Sequence, residues 1–97
     1  MLIYVATHSN YTRTACNRED ALGGFGYHSK VRSMNVPEEA VCIYRVYAYD
    51  LGIDELVLTL EEAKSLIRHY HGKERRTIRR WRIPIEDGQL SLLEATK

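Results

Sequence analysis

The sequence has no apolar run long enough to cross a membrane and only two cysteines, Cys16 and Cys42. A transmembrane helix needs about 20 predominantly apolar residues in succession. A secreted domain of this size normally carries several disulfides, and the apolar stretch that opens the chain is too short for a secretion signal. We therefore predict a cytoplasmic protein that has free thiols and does not contact a membrane.

Proline, phenylalanine and tryptophan are also scarce, with two, one and one copies, whereas tyrosine occurs seven times. Tyrosine combines an apolar ring with a polar tip, which suits half-buried sheet faces and binding surfaces. A chain of 97 residues provides one core but little material for a deep, enclosed active site. We predict one globular domain spanning residues 1–97.

No catalytic or cofactor-binding motif is present. His69 and His71 lie two residues apart near a predicted helix end, a spacing that directs them to different faces rather than to one metal ion. The Gly-Gly-Phe-Gly stretch at residues 23–26 lacks the lysine and Ser/Thr of a phosphate-binding loop. Pairs such as Cys16 with His28 arise by chance in a chain with four histidines. We predict no metal, no cofactor and no enzyme activity.

Four stretches have strand character. Residues 2–6 are typical of a central strand, and residues 25–34 have a mixed pattern. Leu51-Gly52 resembles a hairpin tip, after which residues 53–58 return. The clearest strand, residues 41–50, presents two faces: Cys42, Tyr44, Val46 and Ala48 on one, and Val41, Ile43, Arg45, Tyr47 and Tyr49 on the other.

One helix is predicted over about residues 60–71 and a second, short one over about residues 13–22. Thr59 and Glu62 form a capping box, in which the threonine hydroxyl accepts a hydrogen bond from the amide three residues later. Gly72 is well placed to end the longer helix in a left-handed conformation.

The chain ends in a predicted strand, residues 77–85, followed by a hairpin with Asp87-Gly88 at its tip. Pro84 lacks an amide proton, so this strand is expected at a sheet edge. Together these elements predict an α+β fold: a small mixed or antiparallel sheet, the two helices and a C-terminal β-hairpin.

Positive charge is concentrated in residues 73–82, which hold six basic residues and one acidic residue. These ten residues carry +5 and the whole chain carries +1, so the remaining 87 residues sum to −4. Guanidinium groups bind carboxylates and phosphates bidentately, and a tryptophan can stack on a base. The candidate binding residues are Lys73, Arg75, Arg76, Arg79, Arg80, Trp81 and Arg82.

Three interpretations of this basic run remain open. The arginines are a solvated strand face paired with glutamates, they bind an acidic groove of a protein, or they bind nucleic acid. A net charge of +1 is low for a dedicated DNA-binding protein. Strand alternation places Arg80 and Arg82 on one face and Arg79, Trp81 and Ile83 on the other, and the glutamates available for pairing are Glu38, Glu39, Glu61 and Glu62.

The five residues Gln89-Leu90-Ser91-Leu92-Leu93 resemble the bacterial sliding-clamp-binding motif, Gln-Leu-Ser/Asp-Leu-Phe. The resemblance implies that Gln89 occupies a small polar subsite of the clamp and that Leu92 and Leu93 fill a hydrophobic pocket, with Leu90 and Ser91 linking them. Leu93 replaces the family's phenylalanine, a departure that implies weaker binding to a clamp rather than none. The same residues also suit the second strand of the Asp87-Gly88 hairpin, and a docked strand cannot insert into a clamp without detaching.

We therefore predict a small binding protein, of the kind encoded by phages or mobile elements. It binds and modulates a bacterial DNA replication, repair or defence complex through its basic surface and the clamp-type motif. Two alternatives are a nucleic-acid-binding protein that uses residues 75–82, and a small enzyme with an unrecognised site.

Overall fold

The computed structural model describes residues 1–23 and 29–85. They divide into two compact units, Met1–Val41 with the chain from Pro84 onward, and Cys42–Ile83. The α+β class is confirmed, although two small antiparallel three-stranded sheets replace the single predicted sheet. That all 97 residues form one domain stays a prediction.

The elements are β1 (Leu2–His8), β2 (Tyr11–Ala15), α1 (Arg18–Leu22), β3 (Lys30–Asn35), β4 (Cys42–Ala48), a 3₁₀ turn (Tyr49–Leu51), β5 (Ile53–Val57), α2 (Leu60–Arg68), α3 (Gly72–Thr77) and β6 (Arg79–Pro84).

The first unit has its sheet in the order β2-β1-β3, so β1 is central as predicted. Both neighbours pair with β1 in antiparallel register. Because β1 is central, residues on both of its faces are buried, including Val5 and Ala6. Ala21 of α1 packs on this sheet against Ala6 and Ala15, where small side chains allow the close approach of a helix.

The helix predicted over residues 13–22 is wrong in its first half, because residues 11–15 form β2. A two-residue turn, in which Ser9 adopts a positive φ of 53°, reverses the chain after β1. Thr12 and Thr14 then pair with β1, and β-branched residues favour a strand. The helix begins only at Arg18, after Asn17 accepts a hydrogen bond from the Asp20 amide.

The second unit has its sheet in the order β5-β4-β6. The two predicted faces of β4 are confirmed: Val46 and Ala48 pack under α2, whereas Arg45 and Tyr47 lie on the opposite face. The core of this unit centres on the fully buried Ala63 of α2. Its other members are Tyr44, Val46, Ala48, Leu51, Ile53, Val57, Leu66, Ile67, Tyr70 and Ile78.

The cap that Thr59 provides at the start of α2 is confirmed, but the Glu62 carboxylate contacts the Thr59 hydroxyl rather than the backbone amide of the usual capping box. The Thr59 hydroxyl accepts a hydrogen bond from the Glu62 amide at 3.2 Å and donates to the Glu62 carboxylate at 3.2 Å. The helix ends at Arg68 rather than at residue 71. Gly72 has the predicted left-handed conformation, with φ of 62°, but it begins the separate helix α3 and does not end α2.

The last described strand, β6, lies at the edge of its sheet, as the proline at its end predicts. It is shorter than the predicted strand over residues 77–85, because Thr77 belongs to α3. The amide of Ile85 donates to the Val41 carbonyl at 2.9 Å, and its side chain is buried. The predicted hairpin at Asp87-Gly88 and the clamp-type motif at residues 89–93 lie outside the described residues.

Candidate anion-binding site

The basic run of residues 73–82 is divided between two elements of the second unit. Helix α3 carries its first three basic residues, and β6 carries the others with the tryptophan. Local sequence explains the division: Thr77 ends the helix by donating its hydroxyl to the Glu74 carbonyl at 2.9 Å, and the chain then becomes extended. The exposed basic residues are Lys73, Arg75, Arg76, Arg79, Arg80 and Arg82.

Strand alternation sends neighbouring side chains of β6 to opposite faces of the sheet. Ile78, just before the strand, joins the core beneath α2, and Arg80 lies on that same side beside Ile67 of α2. Trp81 lies on the other side, where its ring stacks on Tyr47 with the centroids 5.8 Å apart. The arginine and the tryptophan therefore do not share a surface.

A pocket of about 200 Å³ opens where α2, α3 and β6 meet. One aliphatic side chain and four cationic ones surround it, and the cations come from all three elements. We call this site the basic pocket. Its residues are Lys64, Ile67, Arg68, Arg75 and Arg80.

Most of the charge in the basic pocket is not neutralised by the residues that the structure describes. Lys64 approaches Glu61 at 4.0 Å, but the lysine side chain is 44% exposed and the glutamate 76%, and such surface pairs contribute little. Within residues 1–23 and 29–85, Arg68, Arg75 and Arg80 form no ion pair with a carboxylate. Three guanidinium groups thus remain able to bind an external anion.

Arg79 contacts the backbone of the protein instead of lining the basic pocket. Its guanidinium donates to the Arg76 carbonyl at 3.1 Å, at the end of α3. The last carbonyls of a helix have no partner within it, and a cation there also complements the helix dipole. Arg79 therefore stabilises a helix end and does not line the basic pocket.

The opposite face of this sheet holds a buried ion pair. The Arg45 side chain is 1% exposed and donates to Asp54 through two contacts, Nε to Oδ1 at 3.0 Å and Nη2 to Oδ2 at 3.1 Å. The same guanidinium lies 4.4 Å from the ring centroid of Tyr47 and 5.6 Å from that of Trp81. The tryptophan is thus part of a packed cation–π cluster.

Sequence reasoning missed two groups of residues. Lys64 and Arg68 contribute to the basic pocket although they lie outside the basic run; their spacing of one helical turn was the available signal. The pair of Arg45 with Asp54 was also missed. The available signal for this ion pair was an arginine in the middle of an apolar strand, followed by an acidic residue in the next strand.

A larger cleft of about 340 Å³ lies on the other side of α2, beside the β4–β5 hairpin tip. Its floor is mainly aliphatic. The lining residues are Val46, Leu51, Gly52, Ile53, Glu55, Leu66, His69 and Tyr70.

Three or more histidine, cysteine or carboxylate side chains do not come together as a metal site anywhere in the described part of the chain. Cys16 and Cys42 are free thiols.

Comparisons with protein-family models, curated proteins and solved structures gave no match. Among the described helices, none is both long enough and apolar enough to span a bilayer.

Proposed function

We propose that this chain is a non-enzymatic binding protein whose basic pocket docks onto an acidic segment of a larger protein. One observation carries the proposal: four cationic side chains from three elements converge on one pocket, and three of them lack a carboxylate partner within residues 1–23 and 29–85. Like charges that line one pocket repel each other, and an anionic partner relieves this repulsion.

An acidic protein segment fits the geometry better than nucleic acid does. Proteins that bind single strands combine a basic groove with aromatic rings on which bases stack, and the one tryptophan packs on Tyr47 away from Arg80. Duplex binding without stacking relies on many phosphate contacts, whereas the whole chain carries a net charge of only +1. The partner class suggested by the clamp-type motif, a bacterial DNA-processing complex, stays a prediction from sequence.

The test is fluorescence anisotropy with a labelled peptide rich in aspartate and glutamate, compared with single-stranded and duplex oligonucleotides. The double variant Arg75→Glu/Arg80→Glu should weaken peptide binding by roughly tenfold or more, because two attractive contacts become repulsive. The control Arg13→Glu/Lys30→Glu changes the net charge equally at two exposed positions outside the pocket, and it should bind like the wild type.

A third variant tests whether the pocket, rather than the general basic surface, binds the peptide. Arg82→Glu alters an exposed arginine of the same strand that does not line the pocket, so its effect should be smaller than that of Arg80→Glu. Equal losses of peptide affinity in Arg82→Glu and Arg80→Glu would refute the claim that the peptide binds in the basic pocket. If an oligonucleotide bound more tightly than the acidic peptide, and its log affinity fell linearly with log salt, the partner would be nucleic acid and not an acidic protein.

A further inference from the structure

The cations that line the basic pocket come from three separate elements. Helix α2 supplies Lys64 and Arg68, α3 supplies Arg75 and β6 supplies Arg80. A carboxylate is planar and offers two oxygens, which a single guanidinium can bind in bidentate fashion. A phosphomonoester offers three terminal oxygens and a charge of about −1.5 to −2 at neutral pH. Cationic side chains contributed by three elements match the three terminal oxygens of a phosphomonoester better than the two oxygens of a carboxylate.

We propose that the group seated in the basic pocket is a phosphomonoester on a phosphorylated side chain of the partner protein. This inference rests on the proposed function and adds a regulatory step, because phosphorylation of the partner then strengthens docking. Ile67 supports it by giving the pocket one apolar wall, against which the methylene carrying the phosphate can lie.

The charge balance of the pocket favours a dianion over a single carboxylate. Three guanidiniums lack an acidic partner in the described part of the chain, and Lys64 has only the exposed contact to Glu61 at 4.0 Å. One carboxylate leaves most of this charge uncompensated. A phosphate group removes about two charges at one point and accepts from several guanidiniums simultaneously.

A phosphorylated side chain fits better than a nucleic-acid backbone. Each phosphodiester of a backbone carries one negative charge and is followed by further phosphates along a groove, whereas the basic pocket is a single concavity of about 200 Å³. A 5′-terminal phosphate of an oligonucleotide shares the monoester chemistry. It is therefore included in the experiment as the competing source.

The experiment compares three labelled acidic peptides that differ at one position, phosphoserine, glutamate or serine, by anisotropy against the full chain. At pH 7.5 the phosphoserine peptide should bind at least about tenfold more tightly than the glutamate peptide. Its advantage should shrink at pH 5, because the second ionisation of the phosphate has a pKa of about 6. His69 and His71 also lie in this unit, and the glutamate peptide reports any effect of their protonation.

The side chains are tested with neutral substitutions. Arg75→Gln and Arg80→Gln should each abolish most of the preference for phosphoserine over glutamate, whereas the control Arg82→Gln should keep it. Arg80→Lys, which retains the charge but loses the planar fork, should bind the phosphopeptide with intermediate affinity. Because the three peptides are compared on the unmodified protein first, the result does not depend on how a variant folds.

Each outcome supports or overturns a specific statement. Equal binding of the phosphoserine and glutamate peptides would overturn the phosphate inference and leave the proposed function standing. Failure of all the acidic peptides to bind would overturn the proposed function itself. Tighter binding of a 5′-phosphorylated oligonucleotide than of the phosphopeptide would overturn the assignment to a protein partner.

Discussion

Removal of the Asp54 carboxylate is expected to destabilise the protein strongly. Asp54 binds the guanidinium of Arg45 through contacts of 3.0 and 3.1 Å, and the side chains of the two residues are 25% and 1% exposed. Loss of one partner of a buried ion pair costs roughly 3–5 kcal/mol, mostly because the other charge stays buried. Partial hydration of Asp54 weakens the attraction, so we expect Asp54→Ala to cost about 3 kcal/mol, at the low end of that range.

This loss is measured by urea denaturation, followed by far-UV circular dichroism and by tryptophan fluorescence. Trp81 is the only tryptophan and its ring lies 5.6 Å from the Arg45 guanidinium, so its emission reports on this cluster. In thermal unfolding the same loss corresponds to a decrease in Tm of about 12–24 °C for a domain of this size. The loss should persist at high salt, because buried pairs are screened much less than exposed ones.

Asp50→Ala is the matched control, since Asp50 is an exposed aspartate in the turn of the same hairpin. Exposed substitutions of this kind usually change stability by less than about 0.5 kcal/mol. If Asp54→Ala and Asp50→Ala unfolded at the same urea concentration, the buried pair would contribute nothing and the argument from its burial would be refuted.

Two further predictions concern the local conformations of the second unit. Thr59→Ala removes the cap of α2 and should lower the free energy of unfolding by about 0.5–2 kcal/mol in urea denaturation, whereas Thr59→Ser keeps the hydroxyl and should change it little. Gly52→Ala should cost about 1–2 kcal/mol through backbone strain alone, because φ is 65° and no atom lies within 4 Å of an added Cβ. Gly52→Asn should cost less than Gly52→Ala in the same assay, since asparagine tolerates the left-handed region, and equal losses would contradict that explanation.

The features that could be predicted from the sequence are those encoded within a few residues. Thr59 and Glu62 are three residues apart and form the predicted cap because both partners belong to one helical turn. The two faces of β4 follow from strict alternation, and the edge position of β6 follows from the missing amide of Pro84. Each of these features can be predicted without knowing which distant segment packs against it.

The features that could not be predicted depend on distant partners. The segment of residues 11–15 has too little apolar periodicity to choose between helix and strand, and its pairing with β1 decides the matter. The split into two sheets has the same origin, because strand composition does not specify which strands pair. Helix α3 is only six residues long, and the glycine at its start also suits the end of the preceding helix.

The basic run shows why a concentration of charge along the chain is not the same as a charged surface. Residues 79–82 form an extended strand, so Arg80 joins the basic pocket while Trp81 turns to Tyr47 on the opposite face. The pocket instead gains Lys64 and Arg68 from a helix that precedes the run. An arginine and a tryptophan adjacent in sequence favour a nucleic-acid hypothesis only if they share a face. Their separation by strand alternation is the physical reason that we propose, as the partner, an anionic group held by side chains alone and without base stacking.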